Sequence, residues 1–206
     1  REMKLRNWFF GVMRRVLETA AFEEYNGPML ESLELYAAKS GEEIATKQTY
    51  NFTDRGDRRL ALRPEMTPTV ARMVAARMND LVFPLKWFSI PNMYRYEAPQ
   101  RGRLREFWQL NVDIFGCDTY EADLDCISSA IEIMRAFGAD ETMFTVHINN
   151  RRFFNDVIAA IAGTDGEGAK AVSKVIDRKN KVPREVYERD LTALGLQPEQ
   201  IARIDA

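Results

Sequence analysis

Histidine occurs once in this sequence, at position 147, and cysteine twice, at 117 and 126. A single imidazole argues against a histidine-based triad and against a multi-histidine metal site. Two cysteines without ligand spacing make no disulfide framework; they read as reduced core thiols of an intracellular protein. No run approaches the roughly 20 apolar residues of a membrane helix, and no secretory leader is visible. The chain opens at Arg1, already inside a helical pattern, so it reads as a piece of a longer gene product. An excess of one charge is also missing. With 29 Lys and Arg against 31 Asp and Glu, the net charge is −2. Any contact with nucleotide or nucleic acid must therefore come from a local patch. Glycine loops for phosphate are lacking too. No G-x-G-x-x-G follows a strand. "GTDGEGAKA" (Gly163–Ala171) has P-loop glycine spacing, but Ala169 and Ala171 spoil its ending and a helical stretch precedes it. It reads as a linker, which leaves a sheet as the place for any nucleotide.

What is present is ordinary globular material: 206 residues, 46% hydrophobic, enough for one substantial core and a second small unit. Leu5, Trp8, Phe9, Val12, Met13, Val16 and Leu17 recur at three and four, predicting an amphipathic helix that ends near Phe22. "NGPML" is a turn leading into an extended segment. "LELYAAKSG" is a short helix stopped by Gly41. "TYNFTDRGDRRLALRP" alternates on both sides of Asp54–Asp57 and reads as a hairpin. A helix follows, with Thr67 as N-cap and Pro68 in its first position. "LKWFSIPNMYRYE" and "REFWQLNVDIFG" read as two strands joined by the loop Ala98–Leu104. A helix over 122–137 and a strand "MFTVHIN" come next. From Arg151 the sequence turns helical, with "TDGEG" as a flexible link. The pattern predicts an α+β fold, an antiparallel sheet flanked by helices, with a core over 1–150 and a small helical unit over 151–206.

The second strand of the central pair carries the chemistry. Alternation puts Phe107, Gln109, Asn111 and Asp113 on one face and Trp108, Leu110, Val112 and Ile114 on the core face. Arg95 and Glu97, on the preceding strand, share a face with each other and, if the strands pair, with the first set. An arginine fork suits phosphate or carboxylate. Arg103 and Arg105 sit at the loop end. Two readings fit this pattern equally: the floor of a pocket, or a solvated lattice of cross-strand ion pairs. Glu65 and Thr67 fall where a strand passes into a helix, a common place for ligand-facing side chains; Thr67 as a plain cap is the other reading.

These stretches also resemble a known family. "MYRYEAPQRGRLREFWQLNVDIFG" resembles motif 2 of class II aminoacyl-tRNA synthetases in the form found in histidyl-tRNA synthetases. "LALRPEMTPTVARM" is similar to that family's histidine-specific segment and "EEYNGPMLE" to motif 1. "NNRR" and "VIDRKNKVP" resemble its passage into an insertion domain. The resemblance implies an enzyme that activates histidine with ATP, Mg²⁺ accompanying the phosphates without a dedicated protein metal site, and then charges tRNA(His). It implies a homodimer in the cytoplasm, with Pro28 at the dimer interface. By the same resemblance, Arg95 is the catalytic residue at the α-phosphate, with Glu97 and Phe107 on adenine and Arg103 on the γ-phosphate. Glu65, Thr67 and Gln109 hold the α-amino group of histidine, and Asp113 faces the imidazole. Gln100 and Arg105 meet the tRNA acceptor end. Asp113 stands where the family usually has Glu, and Trp108 where histidine is frequent, on a face expected to be core. Motif 3, the later histidine-specific segment and the anticodon-binding domain have no counterpart here, so the chain reads as a fragment with only part of an active site, inactive or nearly so alone. The regulatory subunit of ATP phosphoribosyltransferase, a synthetase-like paralogue, and other class IIa synthetases are the alternatives.

Overall fold

The computed structural model describes residues 1–40, 48–97, 101–164 and 166–205. They fall into two compact units, Arg1–Thr145 and Val146–Ala206.

In the first unit, α1 (Glu2–Thr19) buries Val12 and Leu17. With Phe22, Phe88, Ile90 and Ile133 these side chains form the main apolar cluster, Val12 excepted. The helix stops three residues before the expected Phe22, because Ala21 takes a positive φ of 60° and turns the chain. Leu5 and Trp8, expected on the apolar face, remain exposed.

The central sheet is mixed. β1 (Glu23–Glu24) runs parallel to β5 (Leu85–Ser89), which pairs antiparallel with β8 (Asn111–Phe115). Each of the two long strands expected from the pattern is interrupted. Beyond β5 and β8 the pair continues as β6 (Asn92–Tyr94) and β7 (Glu106–Trp108). Pro91 has no N–H to give to the ladder, yet its carbonyl accepts from Gln109 N at 3.1 Å, so the register carries through the kink. Ser89 faces Asn111, Trp87 faces Asp113 and Met93 faces Phe107. The two-residue alternation is thus kept, and Leu110, Val112 and Ile114 pack into the main cluster. Trp108 departs from expectation. It is 44% exposed, its ring 5.3 Å from that of Phe10, with the Arg6 guanidinium 4.9 Å from its centre. Arg6 and Phe10 of α1 touch the ring from one side and leave the rest of it open.

A second, antiparallel sheet has the order β2 (Leu30–Ser32), β4 (Arg59–Leu62), β3 (Asn51–Thr53). The hairpin turn is held by Asp54, whose Oδ1 accepts from Gly56 N and Arg58 N at 2.8 and 2.9 Å. α2 (Leu33–Ser40) covers the buried face with Leu33 and Tyr36; Gly41, its expected stop, lies outside the described residues. α3 (Thr67–Arg77) begins one residue earlier than expected. Met66 is the N-cap, and Thr67 is already helical and exposed. The start is anchored by packing: Met66 is fully buried and its carbonyl takes the first helical bond, from Val70 N at 3.0 Å. α4 (Tyr120–Ala136) completes the unit. "MFTVHIN" forms no strand, and Met143, Val146 and Ile148 lie exposed. Its composition favours β structure, but a strand exists only with a ladder partner, and none of the described strands pairs with it.

The second unit is helical: α5 (Arg151–Ala162), α6 (Gly166–Ile176), a 3₁₀ turn Lys179–Lys181, α7 (Arg184–Ala193) and α8 (Pro198–Asp205). Asn150 Oδ1 caps α5 by accepting from Phe153 N at 3.0 Å. Gly163 ends it with φ of 65°. Of the stretch expected to be a flexible link, Gly166–Gly168 form the first turn of α6, because Ala169 and Val172 of that helix are buried in the unit's core; Asp165 lies outside the described residues.

Candidate active site

The segment after β6 and the one before β7 stay hydrogen-bonded, Arg95 N donating to Arg105 O at 2.9 Å. Together they form one wall of a cavity of about 450 Å³, lined by Arg95, Glu97, Arg103, Leu104 and Phe107.

 A larger cavity of about 690 Å³ lies between α1 and α4 and contains none of these residues.

The Arg95 guanidinium lies 5.2 Å from the centre of the Phe107 ring, and its Nε donates to Pro64 O at 3.0 Å. That bond ties the strand pair to the β4–α3 junction and holds the fork beside an aromatic face. Arg103 and Glu97 pair at 3.3 Å. Two guanidinium groups and one carboxylate leave the described lining with an excess of positive charge, suited to an anionic ligand with a flat ring. The four residues expected to bind ATP therefore meet in one cavity. Arg105 is exposed; its Nε donates to Glu97 O at 3.3 Å and its guanidinium lies 4.8 Å from the centre of the Tyr96 ring. Gln100 lies outside the described residues.

The residues expected to bind histidine are more spread out. Gln109 and Asp113 are half-buried on one face of the strand pair. Gln109 Nε2 donates to Asn111 Oδ1 at 2.6 Å. Asp113 Oδ2 accepts from the Tyr25 hydroxyl over a long 3.4 Å. Tyr25 stacks on Trp87, the cross-strand neighbour of Asp113. Burial, and then the Asp113 charge, push its phenol up, so it stays protonated and a donor. Glu65 is half-buried and Thr67 exposed at the β4–α3 junction. Pro28 is exposed beside Met29 and Leu30, which are 41% and 44% exposed.

Sequence reasoning passed over Arg63, which is only 4% exposed. Its side chain donates to Gly27 O at 2.8 Å, Asn92 O at 2.9 Å and Asn92 Oδ1 at 3.0 Å. Its backbone bonds Met29 and Tyr94. It therefore joins the Pro28 segment to β6, the strand leading to Arg95. Burial pulls its guanidinium below the ordinary range. Gly27 fits there because a Cβ would come within 2.6 Å of Met66 and 2.8 Å of Thr69. The signal was present: period two from buried Ala61 places Arg63 on the same inward face.

A mixed sheet with arginines around a ring-lined cavity is the core of a class II aminoacyl-tRNA synthetase. Solved structures agree. Histidyl-tRNA synthetase from Nostoc sp. PCC 7120 superposes with a TM-score of 0.82 at 26% identity, over 98% of this chain and 44% of that one. An ATP phosphoribosyltransferase regulatory subunit/histidyl-tRNA synthetase from Bacillus halodurans C gives 0.80 at 26% identity, over 98% and 50%. The histidyl-tRNA synthetase family model matches residues 1–203, and the chain belongs to that family. The histidine–tRNA ligase of Leptospira biflexa is 51% identical over 90% of this chain and 43% of its own length. That of Thermococcus kodakarensis is 38% identical over 98% and 45%. The chain thus spans less than half the length of these relatives.

Proposed function

We propose that the full-length protein joins histidine to ATP, giving histidyl-adenylate and pyrophosphate, and passes the histidyl group to the 3′ end of tRNA(His). The observation that carries this reading is the meeting of Arg95, Glu97, Arg103 and Phe107 in one cavity. In the reaction a carboxylate oxygen of histidine attacks the α-phosphorus, and the bond to the bridging oxygen of pyrophosphate breaks. Arg95 offsets the charge that grows on the α-phosphate, Phe107 and Glu97 take the adenine, and Arg103 leaves Glu97 for the γ-phosphate. Glu97 is the one carboxylate of the described lining, so Mg²⁺ would travel on the ATP phosphates. Glu65, Thr67 and Gln109 would hold the α-amino group and Asp113 the imidazole, with Gln100 and Arg105 at the tRNA end.

A homodimer through the Pro28 segment is supported by its exposed apolar neighbours. A cytoplasmic location is part of the same proposal; no described helix is long and apolar enough to cross a membrane. The test is histidine-dependent ATP–pyrophosphate exchange by the full-length gene product. Exchange with histidine supports the reading. Its absence, together with binding to a phosphoribosyltransferase, would favour the regulatory-subunit alternative, which the double name of the Bacillus structure keeps in view. The 206-residue chain alone is expected to exchange at least about 100-fold more weakly, the usual effect of losing one charge-stabilising donor.

A further inference from the structure

Arg63 has no role in the reading above and is not among the residues that line the Arg95 cavity. A buried guanidinium must have its lost hydration offset by hydrogen bonds. None of its side-chain acceptors, Gly27 O, Asn92 O and Asn92 Oδ1, is a carboxylate. What the fork supplies there is geometry. The next residue shows what that geometry serves. Pro64 O accepts from Arg95 Nε at 3.0 Å. Pro64 has no N–H of its own to anchor it, but Arg63 beside it is held firmly. Arg63 N donates to Met29 O and Tyr94 N donates to Arg63 O, each at 3.0 Å. Asn92, gripped by the Arg63 fork, passes the link on: its Nδ2 donates to the Tyr94 hydroxyl at 2.8 Å and, across the strand pair, to Glu106 Oε1 at 3.0 Å. One buried side chain thus holds the junction that supplies the Pro64 carbonyl against the strand that leads to Arg95.

We propose that Arg63 is a positioning residue for adenylate formation: by locking Pro64 against β6 it sets the direction of the Arg95 guanidinium at the α-phosphate. The proposal rests on the histidine-activating reading. Arg63 acts through Arg95 and touches no substrate, so its effect falls on the transition state, where charge grows on the α-phosphate. A displacement of about 1 Å caused by a change far from the chemistry can slow a reaction by about 10²-fold. Lysine is no substitute. Its single ammonium cannot span Gly27 O and both Asn92 oxygens as a planar fork does.

The test is Arg63→Lys in the full-length protein, alone and combined with Arg95→Ala, with kcat and the KM values for ATP and histidine read by histidine-dependent ATP–pyrophosphate exchange. Arg63→Lys should lower kcat at least about tenfold and leave both KM values near wild type. In the Arg95→Ala background the same substitution should change kcat little, because the residue through which it acts is gone. Asn92→Ala decides the matter if Arg63→Lys melts below the assay temperature. Asn92 is only half-buried, and its loss leaves Arg63 its bonds to Gly27 O and to the backbone carbonyl of residue 92. Its kcat should fall about two- to tenfold, and this effect too should vanish beside Arg95→Ala. A kcat near wild type in the folded variant, a rise in KM alone, or a loss that multiplies in full with that of Arg95→Ala would overturn the proposal. If the wild-type protein shows no histidine-dependent exchange, the underlying reading fails instead.

Discussion

Tyr187 in the helical unit and Asn111 in the sheet unit both carry a polar group inward, but only the first has it answered. The Tyr187 hydroxyl donates to Asp205 at 3.1 Å, and Lys179 pairs with the same carboxylate at 2.7 Å. Around them one apolar cluster joins all four helices through Ile158, Ala169, Val172, Tyr187, Leu191, Leu196 and Ile201. Among the described residues of the larger sheet unit there are three separate clusters instead. Among the described residues, the buried side-chain atoms without a hydrogen bond, Ser89 Oγ and Asn111 Nδ2, both belong to its central sheet. A sheet face that carries polar side chains cannot also be core. In the helical unit the inward Tyr187 hydroxyl is answered from within the unit, by Asp205.

The sharpest way to break this contrast is Arg95→Ala in the full-length protein. Exchange should fall by about 10²–10³-fold with circular dichroism unchanged, because the side chain belongs to the cavity and not to an apolar cluster. Wild-type rates would return the strand pair to a solvated ion-pair lattice. Leu191→Ala is the opposite case. Leu191 is fully buried, and its truncation should destabilise the helical unit by about 3 kcal/mol. Chemical denaturation should then show that unit unfolding early, with exchange below the transition near wild type.

The smallest effect concerns pH. Lys179, with Tyr187, holds the Asp205 carboxyl below the usual range. A depressed carboxylate stabilises the fold above its unfolded pKa of about 3.9 and loses that contribution as pH falls through the folded value. The helical unit should therefore weaken below about pH 4, and Asp205→Asn should flatten that dependence. The change should stay under about 1 kcal/mol, because the group is near the surface and screened. Melting curves between pH 3 and 7 check it.

Much of the molecule was legible from local pattern. The hairpin around Asp54, the helices and the two-residue alternation of β7 and β8 follow from side-chain period alone. So does the inward place of Arg63, although its role was passed over. Other features depended on distant neighbours. Pro91 breaks a strand whose alternation runs on unbroken. Residues 143–149 have strand composition and no described partner. Thr67 looks like a cap, but buried Met66 takes that position. Trp108 has the parity of a core residue, but Phe10 and Arg6 of α1 cover it only in part.

The sequence by itself determined the class of fold, the family and the identities of the residues around the cavity, because periodicity and motif spacing are local properties of the chain. Tertiary structure alone decided that Arg95 and Arg103 meet Phe107 in one cavity, that Arg63 clamps the Pro28 segment to β6, and that Asn111 is left with an unanswered donor. Those outcomes depend on register and packing between segments far apart in the chain, and whether a buried polar group is satisfied is settled only when its neighbours are in place.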